Sequence, residues 1–237
     1  MCGRGGLDYD WTRLWEFFSL TGDAPAGGIQ ILNLAPSWRG KDGVHWSRVP
    51  VIRLDQGARR PTGMVWPLIP RWLKGELPKF STANCRSEAD RPFSETVVGK
   101  PTFRTAWQRD QRCLVPFSWF YEWDQHSKPK QPWRVLPADQ PFLVMAGLWD
   151  RTPLPDGDAL ESFTIVTTGP NQLMTDIGHH RSPVMLAETD WDAWLAGSKQ
   201  DAEQLIHPPP DGLMKAHKVS PKVNNPGYQG EDLLEEL

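Results

Sequence analysis

Cys2 carries two nucleophiles once Met1 is removed, a removal that its small side chain permits. A free α-amine titrates at about 7.7–8.0 and a thiol near 8.5, so both are partly available at neutral pH. With an aldehyde, the amine would form a Schiff base with loss of water, and the thiolate would then close a five-membered thiazolidine. An internal cysteine lacks this route because its nitrogen is an amide. Position alone leaves a plainer reading open, an ordinary second residue before a flexible glycine. Cysteines at the chain start also begin glutamine amidotransferases.

Other segments hold polar groups suited to chemistry. Ser81-Thr-Ala-Asn84-Cys-Arg86-Ser-Glu88 is a polar cluster without helical or strand periodicity, preceded by an aromatic, proline-bearing stretch from Trp66 to Trp72. Asn84 can donate and accept hydrogen bonds, and Arg86 can hold a phosphate bidentately. A capped loop explains that segment equally well on its own. In Trp119-Phe-Tyr-Glu122-Trp123, strand alternation puts Trp119, Tyr121 and Trp123 on one face and Phe120 and Glu122 on the other. A carboxylate among bulky aromatics is desolvated, and its pKa rises toward the range useful for acid–base work. An exposed edge-strand glutamate is the competing reading. His179, His180 and Arg181 could supply a proton carrier and a phosphate anchor, or form a polar loop. Neighbouring histidines on extended backbone point apart, so one at most faces a given site.

The elements that must position these groups are short. Trp11, Leu14, Trp15 and Phe18 mark a helix that Asp8 or Asp10 could cap. A Gly/Pro-rich turn over 22–28 follows. Strand-length apolar segments lie at 29–32, 49–54, 63–66, 112–116, 119–123, 142–146 and 163–168. Helical pattern returns near 190–197 and 201–206, and 230–237 is an acidic end, frayed or packed on the surface. Mostly strands with peripheral helices predicts one α+β domain spanning 1–237, built on a curved, barrel-like, mostly antiparallel sheet.

Bulk composition narrows the class. Twenty glycines and 23 prolines make a turn-rich chain, short of the level of a disordered one. Thirteen tryptophans against three tyrosines supply a core, with indole faces to spare for stacking on bases. A formal net charge of -3 excludes a polycation, so any nucleic-acid site must come from local arginines and lysines. Three scattered cysteines form no CxxC pair, so neither a disulfide framework nor a metal site is expected, and no cofactor. No apolar run approaches the length of a membrane span, and a soluble, cytoplasmic protein is expected, nucleoid-associated if bacterial.

The order of short motifs is more specific than any of them. Cys2-Gly-Arg4, Asn33-Leu-Ala-Pro36, Trp66-x-Leu-Ile-Pro70, Asn84-x-Arg86-Ser-Glu88, Arg112-Cys-Leu-Val-Pro116, Phe120-Tyr-Glu122-Trp123, Ala146-Gly-Leu-Trp149, Thr167-Thr168, His179-x-Arg181-x-Pro183 and Val219-Ser220 occur in that sequence. This arrangement resembles the SOS response-associated peptidase family of abasic-site-processing proteins, from residue 2 to about residue 225. The resemblance implies single-stranded DNA containing abasic sites as partner, a DNA groove, a monomer, and a covalent thiazolidine link through Cys2. It implies that Asn84 positions the adduct, Glu122 is the acid–base carboxylate, and His179 helps open the sugar ring. Arg4, Arg86 and Arg181 match phosphate-contacting positions, with Trp66 and Ser87 expected beside the DNA. Autoproteolytic removal of the first residue and β-elimination at the abasic site belong to the same implication.

Cys85, Ser182, Pro67 and the Phe117-Ser-Trp119 stretch depart from the family pattern near the proposed site. They bear on substrate preference, and Cys85 is expected as a second thiol near Cys2. Two rival readings stay open, an N-terminal-cysteine amidotransferase and a non-catalytic single-strand DNA-binding module.

Overall fold

The computed structural model describes residues 3–88 and 90–237, so Cys2 lies outside the described residues. The chain opens with β1 (Gly5–Asp10), α1 (Trp11–Phe18) and β2 (Gly28–Leu34), then β3 (Trp38–Gly40), β4 (Gly43–His45), β5 (Ser47–Asp55) and β6 (Ala58–Trp66). It continues through β7 (Asn84–Arg86), α2 (Phe93–Val98), α3 (Pro101–Gln108), β8 (Arg112–Phe117), β9 (Trp119–Trp123) and β10 (Pro132–Pro137). The remainder is β11 (Leu143–Pro153), β12 (Ala159–Thr168), α4 (Gln172–Asp176), β13 (Ser182–Pro183), α5 (Trp191–Ala196), α6 (Lys199–Gln204) and β14 (Met214–Lys218).

Each predicted strand segment falls within or overlaps one of these strands. The single α+β domain with a barrel-like sheet is the observed architecture. Strands β11, β8, β5, β6 and β12 follow one another in a sheet, and β12 pairs again with β11, which closes the ring. Closure removes the sheet edges that would otherwise expose unpaired backbone. Pairing is antiparallel except where β12 meets β6 and β7. A second sheet, in the order β14-β10-β9-β1-β2, lies beside the ring.

Helix α1 buries Leu14 and Phe18, the faces its spacing implies. Asp10 takes the N-cap position but its side chain makes no cap bond. Asn171 and Ser198 do cap α4 and α6, each through a side-chain oxygen that accepts a backbone N–H. Trp66, Trp107, Trp191 and Trp194 are almost completely buried, and only Trp38, Trp46 and Trp72 stand out as exposed tryptophans.

The acidic end is packed on the surface. Leu233 is fully buried, in a second apolar cluster with Leu32, Trp119, Tyr121, Val219 and Val223. The Leu237 N–H donates to Lys218 O at 3.1 Å, so the last residue is still tied to β14. Sequence pattern could not choose between fraying and packing, because the deciding partners lie on β2 and β9.

Candidate active site

Glu122 sits on β9, whose aromatic residues favour a pleated, half-buried surface. Its neighbours Tyr121 and Trp123 face the C-terminal cluster, as the alternation predicts. Glu122 itself points to the opposite side and is 2% exposed. There its Oε2 lies 3.2 Å from His179 Nε2. His179 follows Gly178, whose φ of +76° and closeness to Asp124 leave no room for a β-carbon. The loop therefore turns sharply and delivers the imidazole to the carboxyl.

The tautomer follows from the other ring nitrogen. His179 Nδ1 lies 3.0 Å from the Arg181 carbonyl and 3.4 Å from the Arg181 N–H, and the shorter contact favours a proton on Nδ1. Nε2 of the neutral ring is then an acceptor aimed at Glu122. Burial pushes the Glu122 carboxyl up to about 7. Burial likewise pushes the His179 imidazole down to about 4. Both shifts disfavour charge on the pair, so burial works against an ion pair at this contact. Such a pair offers one proton to give and, beside it, one site to receive.

Asn84 and Arg86 share one face of β7, which runs parallel to β12 with Asn84 beside Ile165 and Arg86 beside Thr167. Arg86 is exposed and Asn84 is 8% exposed. Arg181 ties this strand to the histidine loop. Its Nη2 donates to Ser87 O at 2.7 Å and to Thr167 O at 2.8 Å. The Ser87 N–H in turn donates to Thr167 O at 2.8 Å. Lys100 Nζ donates to Arg86 O at 2.8 Å, a cation that the sequence analysis missed. His180 is exposed and stacks on His179, with ring centroids 5.1 Å apart. Asn84, Arg86, Ser87, His179 and Arg181 thus share one end of β12 and its neighbours, and Glu122 reaches them through His179.

Three expectations change. Trp66 is fully buried, stacks on Phe163, and donates from Nε1 to Ala83 O at 3.0 Å. It cannot offer a face to DNA from there; it holds the backbone next to Asn84. Arg4 turns inward: its Nη1 donates to Asn33 Oδ1 at 2.9 Å and to Val223 O at 2.7 Å. Its guanidinium is engaged with Asn33 and the Val223 carbonyl, as that of Arg181 is with Ser87 and Thr167. Cys85 points away from Asn84 and Arg86 into the core, where burial pushes its thiol up to about 12. That thiol is inert at neutral pH.

Cys2 lies outside the described residues, but its tether is described. Arg4 O accepts from the Tyr121 N–H at 3.0 Å, next to Glu122. Gly5 and Gly6 pair with Phe120 and Trp119. A β-carbon on Gly6 would lie 2.0 Å from the Trp119 ring, so only glycine lets β1 lie this close. An open cleft of about 540 Å³ beside Glu122 is lined by Trp123, Gln125, Pro129, Lys130 and Asn224. A second, of about 520 Å³, runs from Trp38 and Phe80 to Thr82 and Ala83, beside Asn84. Among the described residues no group of His, Cys, Asp and Glu could hold a metal, and no helix is long and apolar enough to cross a membrane.

Comparison with known proteins agrees with the motif order. The chain is 32% identical over 240 residues to the abasic site processing protein YoqW of Bacillus subtilis, covering 99% of both chains. It is 32% identical over 205 residues to the abasic site processing protein HMCES of Pongo abelii, covering 72% of this chain and 55% of that one. A crystal structure from Bacteroides thetaiotaomicron superposes with a TM-score of 0.77 over 100% of both chains at 22% identity, a likeness of fold. One from Bordetella bronchiseptica gives 0.72 at 26% identity, over 92% of this chain and all of the other. Residues 1–226 match the SOS response associated peptidase family, and the chain belongs to it.

Proposed function

We propose that this protein processes abasic sites by binding single-stranded DNA and joining the ring-opened sugar covalently through Cys2. The observation that carries the reading is the buried Glu122–His179 pair, one residue from the point where the N-terminal strand meets β9. Two peptide units separate Cys2 from Arg4, a reach of about 7–8 Å at most. The names of the curated relatives point to the same substrate.

The chemistry has three steps. A sugar hemiacetal opens when its hydroxyl loses a proton and its ring oxygen gains one, and the acid–imidazole pair can do both. The Cys2 amine then adds to the aldehyde, and protonation of the carbinolamine by Glu122 expels water to leave a Schiff base. The thiolate adds to the C=N carbon, the nitrogen takes a proton, and a thiazolidine results. Asn84 positions the adduct by hydrogen bonds. Removal of Met1 must precede all of this, since only a free amine condenses. The same Schiff base would permit β-elimination of the 3′ phosphate.

Binding rests on the exposed Arg86, on Arg181 at its side, and on Trp38 and Phe80, whose exposed rings could stack bases. Ser87 contributes backbone to the same lip.

An abasic single-stranded oligonucleotide run on a denaturing gel after incubation tests the reading. Wild type should give a shifted band and Cys2→Ala none. A band that persists in Cys2→Ala overturns the aminothiol mechanism. Binding that is salt-sensitive and wholly reversed by denaturant would favour a non-catalytic module, and release of ammonia from glutamine an amidotransferase.

A further inference from the structure

The Asn33-Leu-Ala-Pro36 motif has no part in the chemistry above, yet Asn33 is 2% exposed and saturated with bonds. Its Nδ2 donates to Asn225 O at 2.8 Å, Val223 O at 3.2 Å and Tyr228 O at 3.2 Å, three carbonyls of the C-terminal strap, residues 219–237. Its Oδ1 accepts from Arg4, which also donates to Val223 O. Gln229 completes the knot. Its Oε1 accepts from the Leu32 N–H at 2.9 Å and the Asn33 N–H at 3.2 Å, and its Nε2 donates to Asn33 O at 3.1 Å.

The same strap holds β9 on the far side of Glu122. Asn224 Oδ1 accepts from Trp123 Nε1 at 2.7 Å, and Asn224 lines the cleft beside Glu122. The Arg4 guanidinium lies 5.8 Å over the Trp123 ring, while Arg4 O is held by Tyr121. One knot therefore fastens the residue that tethers the chain start and the residues on both sides of the carboxyl. A strap that served stability alone would need its leucine and valine anchors. It would not need a buried asparagine that spends one end on Arg4 and the other on the strap.

We propose that Asn33, with Arg4 and the strap residues Asn224 and Gln229, fixes the Arg4 end of the chain on β9 and so positions the chain start for the covalent step that Cys2 carries. This rests on the reading of Cys2 and Glu122 given above. A misplacement of about 1 Å can slow an oriented reaction by up to about 100-fold without touching the reacting groups.

The test uses full-length Gln229→Ala, a substitution at an exposed position, with Gln229→Glu as the conservative variant and Asn33→Ala as the stronger lesion. Adduct formation is timed at saturating abasic oligonucleotide, affinity is measured on undamaged single-stranded DNA, and Tm is recorded for each. In parallel, reaction with glyceraldehyde reads the aminothiol without DNA. Gln229→Ala should slow both covalent reactions about 10-fold or more and leave DNA affinity within about twofold of wild type. Gln229→Glu keeps the two contacts that accept N–H and should recover part of the rate. Covalent rates at the wild-type level in a folded Gln229→Ala protein overturn the proposal, as do rate and affinity falling together in step with Tm. Wild type that reacts with glyceraldehyde but not with abasic DNA overturns the DNA reading. A slower Gln229→Ala reaction would still support the strap's role.

Discussion

The two faces of β9 are buried to nearly the same extent and behave in opposite ways. On one, Tyr121 is fully buried and its hydroxyl donates to Leu32 O at 2.9 Å, so its polar atom is matched by a fixed backbone acceptor. On the other, Glu122 is 2% exposed against an imidazole that can itself gain or lose a proton. The first face is permanently satisfied and serves packing. The second holds a proton whose place depends on pH. Burial alone therefore does not make a site; the ability of the partner to exchange protons does.

The largest expected effect belongs to the packing face. Tyr121→Ala should cost about 3–5 kcal/mol, read by urea denaturation, because it empties a filled aromatic site under the strap. If it costs under about 1 kcal/mol, the strap is not anchored there. Next is Glu122→Gln, which should slow adduct formation by about 100-fold or more while retaining DNA affinity. An unchanged rate would remove Glu122 from the acid–base role.

The same variant tests the sign of the pH dependence. A carboxyl raised to about 7 contributes stability that is complete below its ordinary range and is lost as pH rises through about 7. His179, lowered to about 4, contributes stability present above the ordinary imidazole range and lost as pH falls through about 4. Wild type should therefore lose stability between pH 5 and pH 8 relative to Glu122→Gln, when both are denatured in urea at the two values. Equal pH slopes would mean that Glu122 is ionised throughout.

Tyr121→Phe, which removes only the hydroxyl, should cost about 1 kcal/mol and leave the adduct rate unchanged. The smallest effect is expected outside the strand. Arg86→Gln should lower the salt slope of single-strand binding by about 0.7 without altering the rate at saturation. A slope that does not move would take Arg86 off the phosphate path.

Much of the fold was legible because strand alternation and helix spacing are local. The β9 pattern alone placed Phe120 and Glu122 opposite Trp119, Tyr121 and Trp123, and the structure has them so. What failed was the environment of single side chains. Trp66 looked like a wall for DNA and is core, because Phe117 and Phe163 close over it. Arg4 looked like a phosphate ligand and is drawn inward by a carbonyl more than 200 residues away in sequence. Cys85 looked like an available second thiol, but strand parity turns it from the Asn84 face into the core. The strands β10 and β14 carry weaker alternation and went unread, because each is defined by its partners.

By itself the sequence determined the elements, the barrel-forming succession of strands and the order of motifs that marks the family. Those depend on residue type and spacing, which a chain carries before it folds. Only the tertiary structure decided which arginines face inward, that the acidic end is a strap, and that Glu122 meets His179 rather than solvent. Burial and partnership are properties of residues far apart in sequence, and a carboxyl acquires its pKa from them.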